Sequence, residues 1–257
     1  WDHDDILRQN PNFMLFLPHE KIRLVAREDS SGTTAIFTRA LSSFVANFAP
    51  GVGKLVVWPA STLKGQQNSG LLEVVSSTPY SIGYAVVGDV KRHKGLQCVN
   101  IHNGDNLPIA PTIDAVHTAI SLARKTSSPY DLLSNVVTAN SSSKAWPISS
   151  YTYLAIRKFS RPASRKTCSE RKAVVDFLMW FYTSQLAMEA AEKHDFIVLP
   201  YHQRREILER LIKISCGKSD FKPIYDRVVD YSNMTKAELL TKQSKFCSSA
   251  EWTVKHS

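Results

Sequence analysis

The sequence predicts an α/β protein with a mainly parallel sheet. Ile22, Leu24 and Val25 are strand-forming residues that precede a short polar turn. After the turn, apolar residues recur at spacings of three and four, as in an amphipathic helix: Ile36, Phe37, Leu41, Phe44, Val45 and Phe48. Strand-like and helix-like segments alternate in the same way further along the chain. Because parallel strands need long crossover connections, this alternation favours helices packed on a parallel sheet.

The remaining elements are predicted from local patterns. We expect strands at residues 55–59, within 78–87 and at 151–156, and helices at residues 71–77, 116–123 and 203–214. Residues 63–70 and 124–145 are predicted to be loops. Ser169 is expected to cap a long helix with the apolar stripe Val174, Val175, Phe177, Leu178, Phe181, Leu186 and Ala190.

Composition indicates an ordinary soluble protein with room for one large or two smaller domains. The 257 residues are 43% hydrophobic and 21% charged. No run approaches the roughly 18 apolar residues that a membrane span needs. The chain starts at Trp1 without a signal-like segment, so we expect a processed product or a fragment.

The net charge of +9 permits a nucleic-acid partner but does not require one. Much of the excess lies in one segment: Arg157, Lys158, Arg161, Arg165, Lys166, Arg171 and Lys172. Phe159 is its one aromatic residue, so there is no regular aromatic interleaving, and no zinc spacing or RNA-binding signature accompanies it. We interpret this segment as a solvated loop, and nucleic-acid binding as disfavoured.

The cysteines and sequons favour an extracellular or periplasmic setting. Cys98, Cys168, Cys216 and Cys247 contain no CxxC pair, so zinc and thioredoxin-like chemistry are disfavoured. If all four pair, three disulfide connectivities are possible. Two glycosylation sequons begin at Asn140 and Asn233, and together with the even number of cysteines they are typical of a secreted glycoprotein with disulfides.

Enzyme chemistry is not predicted. The sequence has no nucleophile elbow, HExxH, EF-hand or dinucleotide fingerprint. Its eight histidines are scattered. We therefore expect no catalytic residues, no cofactor and no metal site.

The segment from Arg27 to Thr34 is the candidate binding motif. It places Ser31, Gly32 and Thr33 where a helix should begin, and the first N–H groups of a helix attract anions. Hydroxyl groups add donors, and Arg27 offers a planar, permanently charged fork for an oxyanion. Asp29 fits such a site if it orients Arg27. A simple helix cap, without any ligand, is an equally good interpretation of the motif alone.

Ordered motifs resemble the phosphate-binding proteins of bacterial ABC phosphate uptake, a branch of the type II periplasmic binding proteins. The resemblance covers about residues 1–213. Its most specific part is Arg27 to Thr38. The supporting pieces are Trp1-Asp2 to Ile6, Asn10-Pro11, Trp58-Pro59, Lys64-Gly65 with Asn68, Thr78-Pro79, Ser81-Ile82-Gly83-Tyr84, Trp146-Pro147-Ile148, Phe177 with Trp180, and Leu199-Pro200.

The resemblance implies two α/β lobes around a hinge, with phosphate held between them. It places Arg27, Asp29, Ser31, Gly32 and Thr33 on the family's binding motif, whereas Ser30 and Tyr80 replace glycines. Residues 1–147 would form the second lobe, residues 148–215 the returning part of an incomplete first lobe, and residues 216–257 an extension of unknown role.

Two functional hypotheses follow from the resemblance. The first is a solute-binding or sensory domain for inorganic phosphate or a similar oxyanion, whose partner would be a transporter. The second is a degenerate interaction or receptor domain that binds no phosphate alone, with the missing half or another protein as its partner.

Overall fold

The computed structural model describes residues 1–103, 106–126, 144–160 and 165–216. Helices and short strands form a mixed α/β structure, which confirms the predicted class. The chain divides into two compact units, one covering Trp1–Thr152 and the other beginning at Tyr153. Among the described helices, none has the length and apolar character needed to span a membrane.

A parallel sheet centred on one strand organises the first unit. The unit contains α1 (Asp4–Gln9), a 3₁₀ turn (Pro11–Phe13), β1 (Arg23–Arg27), α2 (Gly32–Phe44), β2 (Leu63–Gly65), α3 (Gln67–Ser77), β3 (Ser81–Ile82), α4 (Val87–Arg92), β4 (Ile101–His102), β5 (Pro108–Ile109) and α5 (Ile113–Thr126). Strands β2 and β3 both pair with β1 in parallel, in the order β2-β1-β3. Strands β4 and β5 form a separate antiparallel pair.

The core of this unit joins β1 to α3 and to the aromatic residues beside α2. Its buried members are Val25, Ala26, Leu71, Leu72 and Tyr84. The ring of Phe37 on α2 stacks on Tyr84 at 4.4 Å between centroids. Full burial of one such leucine stabilises a fold by about 1.5–3 kcal/mol, so this cluster anchors both helices to the sheet.

Gly65 fixes the position of α3 relative to the sheet. It ends β2, and a Cβ added there would lie 2.5 Å from backbone atoms of Leu71. Only glycine therefore allows the helix to pass this close to the strand. The Gly65 carbonyl also accepts the N–H of Glu28 at 3.0 Å, which places the start of α3 beside the end of β1.

The second unit is a small helical core joined to a two-stranded pair. It contains β6 (Phe159–Ser160), α6 (Arg165–Thr183), α7 (Gln185–Lys193), α8 (Tyr201–Leu211) and β7 (Ser215–Cys216), with β6 and β7 parallel. Helices α6 and α8 bury Val175, Leu178, Leu208, Leu211 and Ile214 together. A disulfide joins Cys168 on α6 to Cys216 on β7. Cys98 is a free, exposed thiol, so the four cysteines do not all pair.

Three predicted strands are wrong or much shorter than expected. Residues 55–59 form no strand: Leu55 and Val57 are exposed, and no neighbouring strand pairs with them within the described ranges. Residues 151–156 are irregular as well. In residues 78–87 the strand is only β3, because Tyr84 turns inward to the core and Val87 starts α4. Strand propensity without a hydrogen-bonding partner does not make a strand.

Helix boundaries also differ from the predictions. Helix α2 ends at Phe44, because Val45 is extended and Asn47 has a positive φ of 61°. Helix α6 begins four residues before Ser169, so Ser169 is not its cap and Arg171 and Lys172 are helical rather than in a loop. The long helix is interrupted at Ser184, which is extended, and continues as α7. The predicted loop of residues 63–70 contains β2 and the start of α3, and α5 runs into the predicted loop as far as Thr126.

Some expectations fall outside the described residues. Both sequon asparagines, Asn140 and Asn233, lie there, as do Cys247 and the extension from residue 217 onward.

Candidate functional site

The predicted motif lies at the carboxyl end of the central strand. Strand β1 ends at Arg27, and α2 begins at Gly32 after a turn of four residues. The start of α3 lies at the same edge of the sheet, because it follows the parallel strand β2 directly. In open parallel sheets, ligands bind outside the carboxyl ends of the strands, where helix N-termini meet.

Ser31 caps α2 with its side chain. Its Oγ accepts the N–H of Thr33 at 3.1 Å and that of Thr34 at 3.4 Å. Its own N–H donates to the Lys54 carbonyl at 2.9 Å, and the residue is buried. Gly32, the first helical residue, is exposed, and a Cβ placed on it would meet nothing within 4 Å. Ser31 is therefore the cap of α2, and the space beside the Cα of Gly32 is open.

Ser30 does not strain the turn, although the family's binding motif has glycine at this position. Among the described residues, a positive φ outside glycine occurs at Asn47, Gln67, Tyr80, Asn106 and Asp195, and not at Ser30. A serine therefore fits this backbone without cost. Tyr80, the other replaced glycine, does adopt a left-handed φ of 62°.

Arg27 and Asp29 form a bidentate ion pair. The Nε of Arg27 donates to Asp29 Oδ1 at 2.8 Å, and Nη2 donates to Oδ2 at 2.5 Å. The Arg27 side chain is only 9% exposed, so its charge is held in place by packing as well as by the pair. Hydrogen bonds from the Arg27 side chain, and to a smaller extent from the Gln67 N–H, hold the pKa of Asp29 well below its usual range. The hydrogen bonds to Asp29 raise the pKa of Arg27 in turn, so the pair is fully charged near neutral pH.

A chain of hydrogen bonds extends this pair into α3 and α4. The Gln67 N–H donates to Asp29 Oδ1 at 2.9 Å, and Arg27 Nη1 donates to Asn68 Oδ1 at 2.6 Å. Asn68 Nδ2 donates to Asp89 Oδ2 at 2.8 Å, and Asp89 Oδ1 accepts from Arg92 at 2.7 Å. These contacts use three of the five N–H hydrogens of Arg27, so two can serve another acceptor.

Tyr84 ties the arginine strand to the first turn of α2. Its hydroxyl oxygen accepts the backbone N–H of Arg27 at 3.2 Å and lies 2.8 Å from Thr34 Oγ1. Thr34 and Tyr84 are both buried, so these bonds are shielded from water. The hydroxyl fixes the distance between Arg27 and the helix N-terminus.

An open cleft of about 770 Å³ lies on the α3 and α4 side of Arg27. Its lining includes Arg27, Asp29, Asn68, Asp89 and Arg92, and leaves out the first residues of α2. Arg27 and Asp29 therefore line this cleft, whereas Ser31, Gly32 and Thr33 do not.

Sequence reasoning placed Arg27 and Asp29 in the site but did not include Asn68, Asp89 or Tyr84. Asn68 had a usable signal, since it lies in the first turn of a helix that directly follows a parallel strand. The structure brings Arg27 and Asp29 into contact and places Ser31, Gly32 and Thr33 at the start of α2. Their roles toward a ligand remain predictions. The described ranges contain no cluster of three or more metal-binding side chains.

Comparison with known proteins identifies the relatives of the chain. No protein-family model matches it. It is 33% identical over 195 residues to the phosphate-binding protein PstS of Methanocaldococcus jannaschii, covering 71% of this chain and 49% of that protein. The chain is PstS-like. This finding confirms the resemblance that the ordered motifs indicated.

Further relatives include a bacterial PstS and a much longer viral protein. The chain is 28% identical over 210 residues to PstS of Xylella fastidiosa, covering 80% of this chain and 54% of that protein. It therefore spans about half the length of the curated PstS proteins it matches. It is also 22% identical over 229 residues to a protein of Acanthamoeba polyphaga mimivirus, described as a candidate serine/threonine-protein kinase/receptor, covering 84% of this chain and 13% of that protein.

Proposed function

We propose that this protein binds inorganic phosphate or a closely related oxyanion at the carboxyl end of β1. In this proposal Arg27 supplies the charge, Asp29 holds Arg27 in position, and Ser31, Gly32 and Thr33 donate hydrogen bonds from the start of α2. The observation that carries it is the ion pair of the buried Arg27 with the partly exposed Asp29, which lies in the turn that leads into α2. The PstS relatives, which are named phosphate-binding proteins, support the choice of ligand.

The donors suit a tetrahedral oxyanion. Arg27 keeps two N–H hydrogens beyond its internal bonds. The partial positive charge of a helix N-terminus adds to its attraction. The hydroxyl hydrogen of Ser31 would rotate toward the anion. The N–H groups of Thr33 and Thr34, which now donate to the Ser31 oxygen, would also donate to the ligand.

We also propose the wider setting that the relatives favour. The protein would adopt a type II periplasmic-binding-protein arrangement of two lobes around a hinge, working outside the cytosol as a binding protein rather than as an enzyme. Residues 1–147 would form one lobe, residues 148–215 part of the other, and residues 216–257 an added segment. The disulfide between Cys168 and Cys216 supports an oxidising compartment.

Calorimetric titration with inorganic phosphate tests the binding proposal. We expect Arg27→Ala to weaken phosphate binding by at least about tenfold, because a hydrogen bond to a charged group contributes about 1.5–3 kcal/mol. The matched control is Arg23→Ala, which removes the same side chain from the exposed opposite end of β1. Equal affinities in the two variants would refute the role of Arg27.

A second candidate is an interaction or receptor domain that does not bind phosphate alone. Similarity to part of the mimivirus protein, and the match to only half of each PstS relative, favour it. A ligand that binds the folded protein must raise its unfolding midpoint. Thermal unfolding with excess phosphate, and with sulfate as a comparison, separates the candidates: an unchanged midpoint supports the receptor domain.

A further inference from the structure

The orientation of the Asn68 amide is determined by its two neighbours. Arg27 carries only donors, so it requires the amide oxygen, and the Asp89 carboxylate carries only acceptors, so it requires the amide nitrogen. The contacts agree, with Nη1 of Arg27 at 2.6 Å from Oδ1 and Nδ2 at 2.8 Å from Asp89 Oδ2. If the amide turned over, its NH₂ group would face the guanidinium. Asp89 opposes that rotation.

Two partners therefore fix the plane of the Arg27 guanidinium. Asp29 binds Nε and Nη2 along one edge, and Asn68 binds Nη1 on the other side. With both in place, the two remaining N–H hydrogens have defined directions. Without the Asn68 contact, the guanidinium can pivot about its two hydrogen bonds to Asp29.

We propose that Asp89 is a positioning residue for oxyanion binding, acting on Arg27 through the amide of Asn68. The inference rests on the proposed function for its ligand, but its geometry is independent of that ligand. Asp89 lies on α4 and is bound by Arg92 as well, which holds the carboxylate toward Asn68. It contributes orientation and does not bind the anion itself.

Charge alone predicts the opposite effect of removing Asp89. A carboxylate near an anion site repels the anion, so its loss should tighten phosphate binding. Loss of positioning should weaken binding, because Arg27 would no longer present its free hydrogens in one orientation. The sign of the change therefore distinguishes the two effects.

The first experiment is a calorimetric titration with inorganic phosphate. Asp89→Ala removes the acceptor, and we expect about tenfold weaker binding, comparable to the loss of one well-placed hydrogen bond. Asp89→Asn keeps an oxygen that can accept from Asn68, and it should stay within about twofold of the parent affinity.

The matched control is Glu73→Gln, an exposed carboxylate in the same cleft but outside this chain of hydrogen bonds. It should bind phosphate as tightly as the parent or more tightly. Parent-like or tighter binding by Asp89→Ala would overturn the inference.

The second experiment needs no ligand. In phosphate-free protein, the Nη–H signals of Arg27, assigned by their loss in Arg27→Lys, should exchange with water several-fold faster in Asp89→Ala, because Nη1 loses a well-placed Asn68 acceptor, and should be unaffected in Glu73→Gln. Unchanged exchange overturns the inference. Faster exchange in a protein that binds no phosphate would refute the proposed function while leaving Asp89 as the group that orients Arg27.

Discussion

At the residue scale, the pairing of Arg27 with Asp29 converts two isolated charges into one oriented group. The arginine is buried and its partner is partly exposed, so neither is a freely solvated surface charge. The N–H of Gln67 adds a third donor to Asp29. Asp29 thus joins β1 to the start of α3 while holding the arginine.

The lowered pKa of Asp29 predicts a pH-dependent stability. Hydrogen bonds from Arg27 and Gln67 put the folded-state pKa below the unfolded value of about 3.9. Such a carboxylate stabilises the fold above the unfolded pKa, and this contribution is lost as pH falls from there through the folded value. The free energy of unfolding of the parent should exceed that of Asp29→Asn by a constant amount above about pH 5, and the gap should shrink below about pH 4.

Urea denaturation of both proteins between about pH 8 and pH 3 measures this gap. Glu28→Gln is the control, since that carboxylate lies in the same loop but is bound by the Gln66 amide. If the difference in free energy of unfolding between the parent and Asp29→Asn did not change between about pH 5 and pH 3, the pairing of Asp29 with Arg27 would be contradicted.

Local residues could be predicted from the sequence, whereas their distant partners could not. Arg27, Asp29 and Ser31 lie within five consecutive positions, so one local pattern contains them all. Asn68 is 41 positions from Arg27, and Tyr84 is 57 positions away. Those contacts depend on the register of β1 with β2 and on the packing of Tyr84, which no local spacing encodes.

At the element scale, the order β2-β1-β3 brings two helix starts to the end of one strand. The sequence predicted the β1–turn–α2 unit because apolar periodicity and the polar turn are local signals. It failed at residues 55–59, where β-branched residues have no pairing strand within the described ranges and Trp58 packs against the core. It also missed β2, whose three residues are too short to show alternation.

Gly65 supports a prediction about stability. Gly65→Ala would put a Cβ 2.5 Å from the Leu71 backbone, and we expect the free energy of unfolding to fall by about 1–3 kcal/mol or more. Gly32→Ala is the matched control, because nothing lies within 4 Å of its added Cβ. Urea denaturation measures both variants. If they proved equally stable, α3 would not depend on this close approach.

At the scale of the whole molecule, the two units are stabilised in different ways. The first relies on a parallel sheet and its aromatic contacts, whereas the second adds a covalent bond across a sequence separation of 48 residues. A small helical core benefits most from such a bond, because it buries little apolar surface of its own. The sequence indicated disulfides from cysteine parity but left their pairing open.

Removing this disulfide should destabilise the protein. Cys168→Ser should lower the free energy of unfolding by about 2–4 kcal/mol, chiefly because the unfolded chain regains the freedom of a long loop. Cys98→Ser removes a free, exposed thiol and should have little effect. Denaturation of each variant, with and without a reducing agent, measures the difference. Equal stability of the parent with and without reductant would show that the bond contributes nothing.

The aromatic cluster behind the site has an optical consequence. Tyr84 touches the backbone of Arg27 and the side chain of Thr34 through its hydroxyl, and its ring lies 6.0 Å from the indole of Trp58. Because Thr34 contacts this hydroxyl, we expect a displacement at the start of α2 to move a phenol ring that lies within energy-transfer range of a tryptophan. The protein therefore carries an intrinsic fluorescent probe that contacts the strand end bearing Arg27.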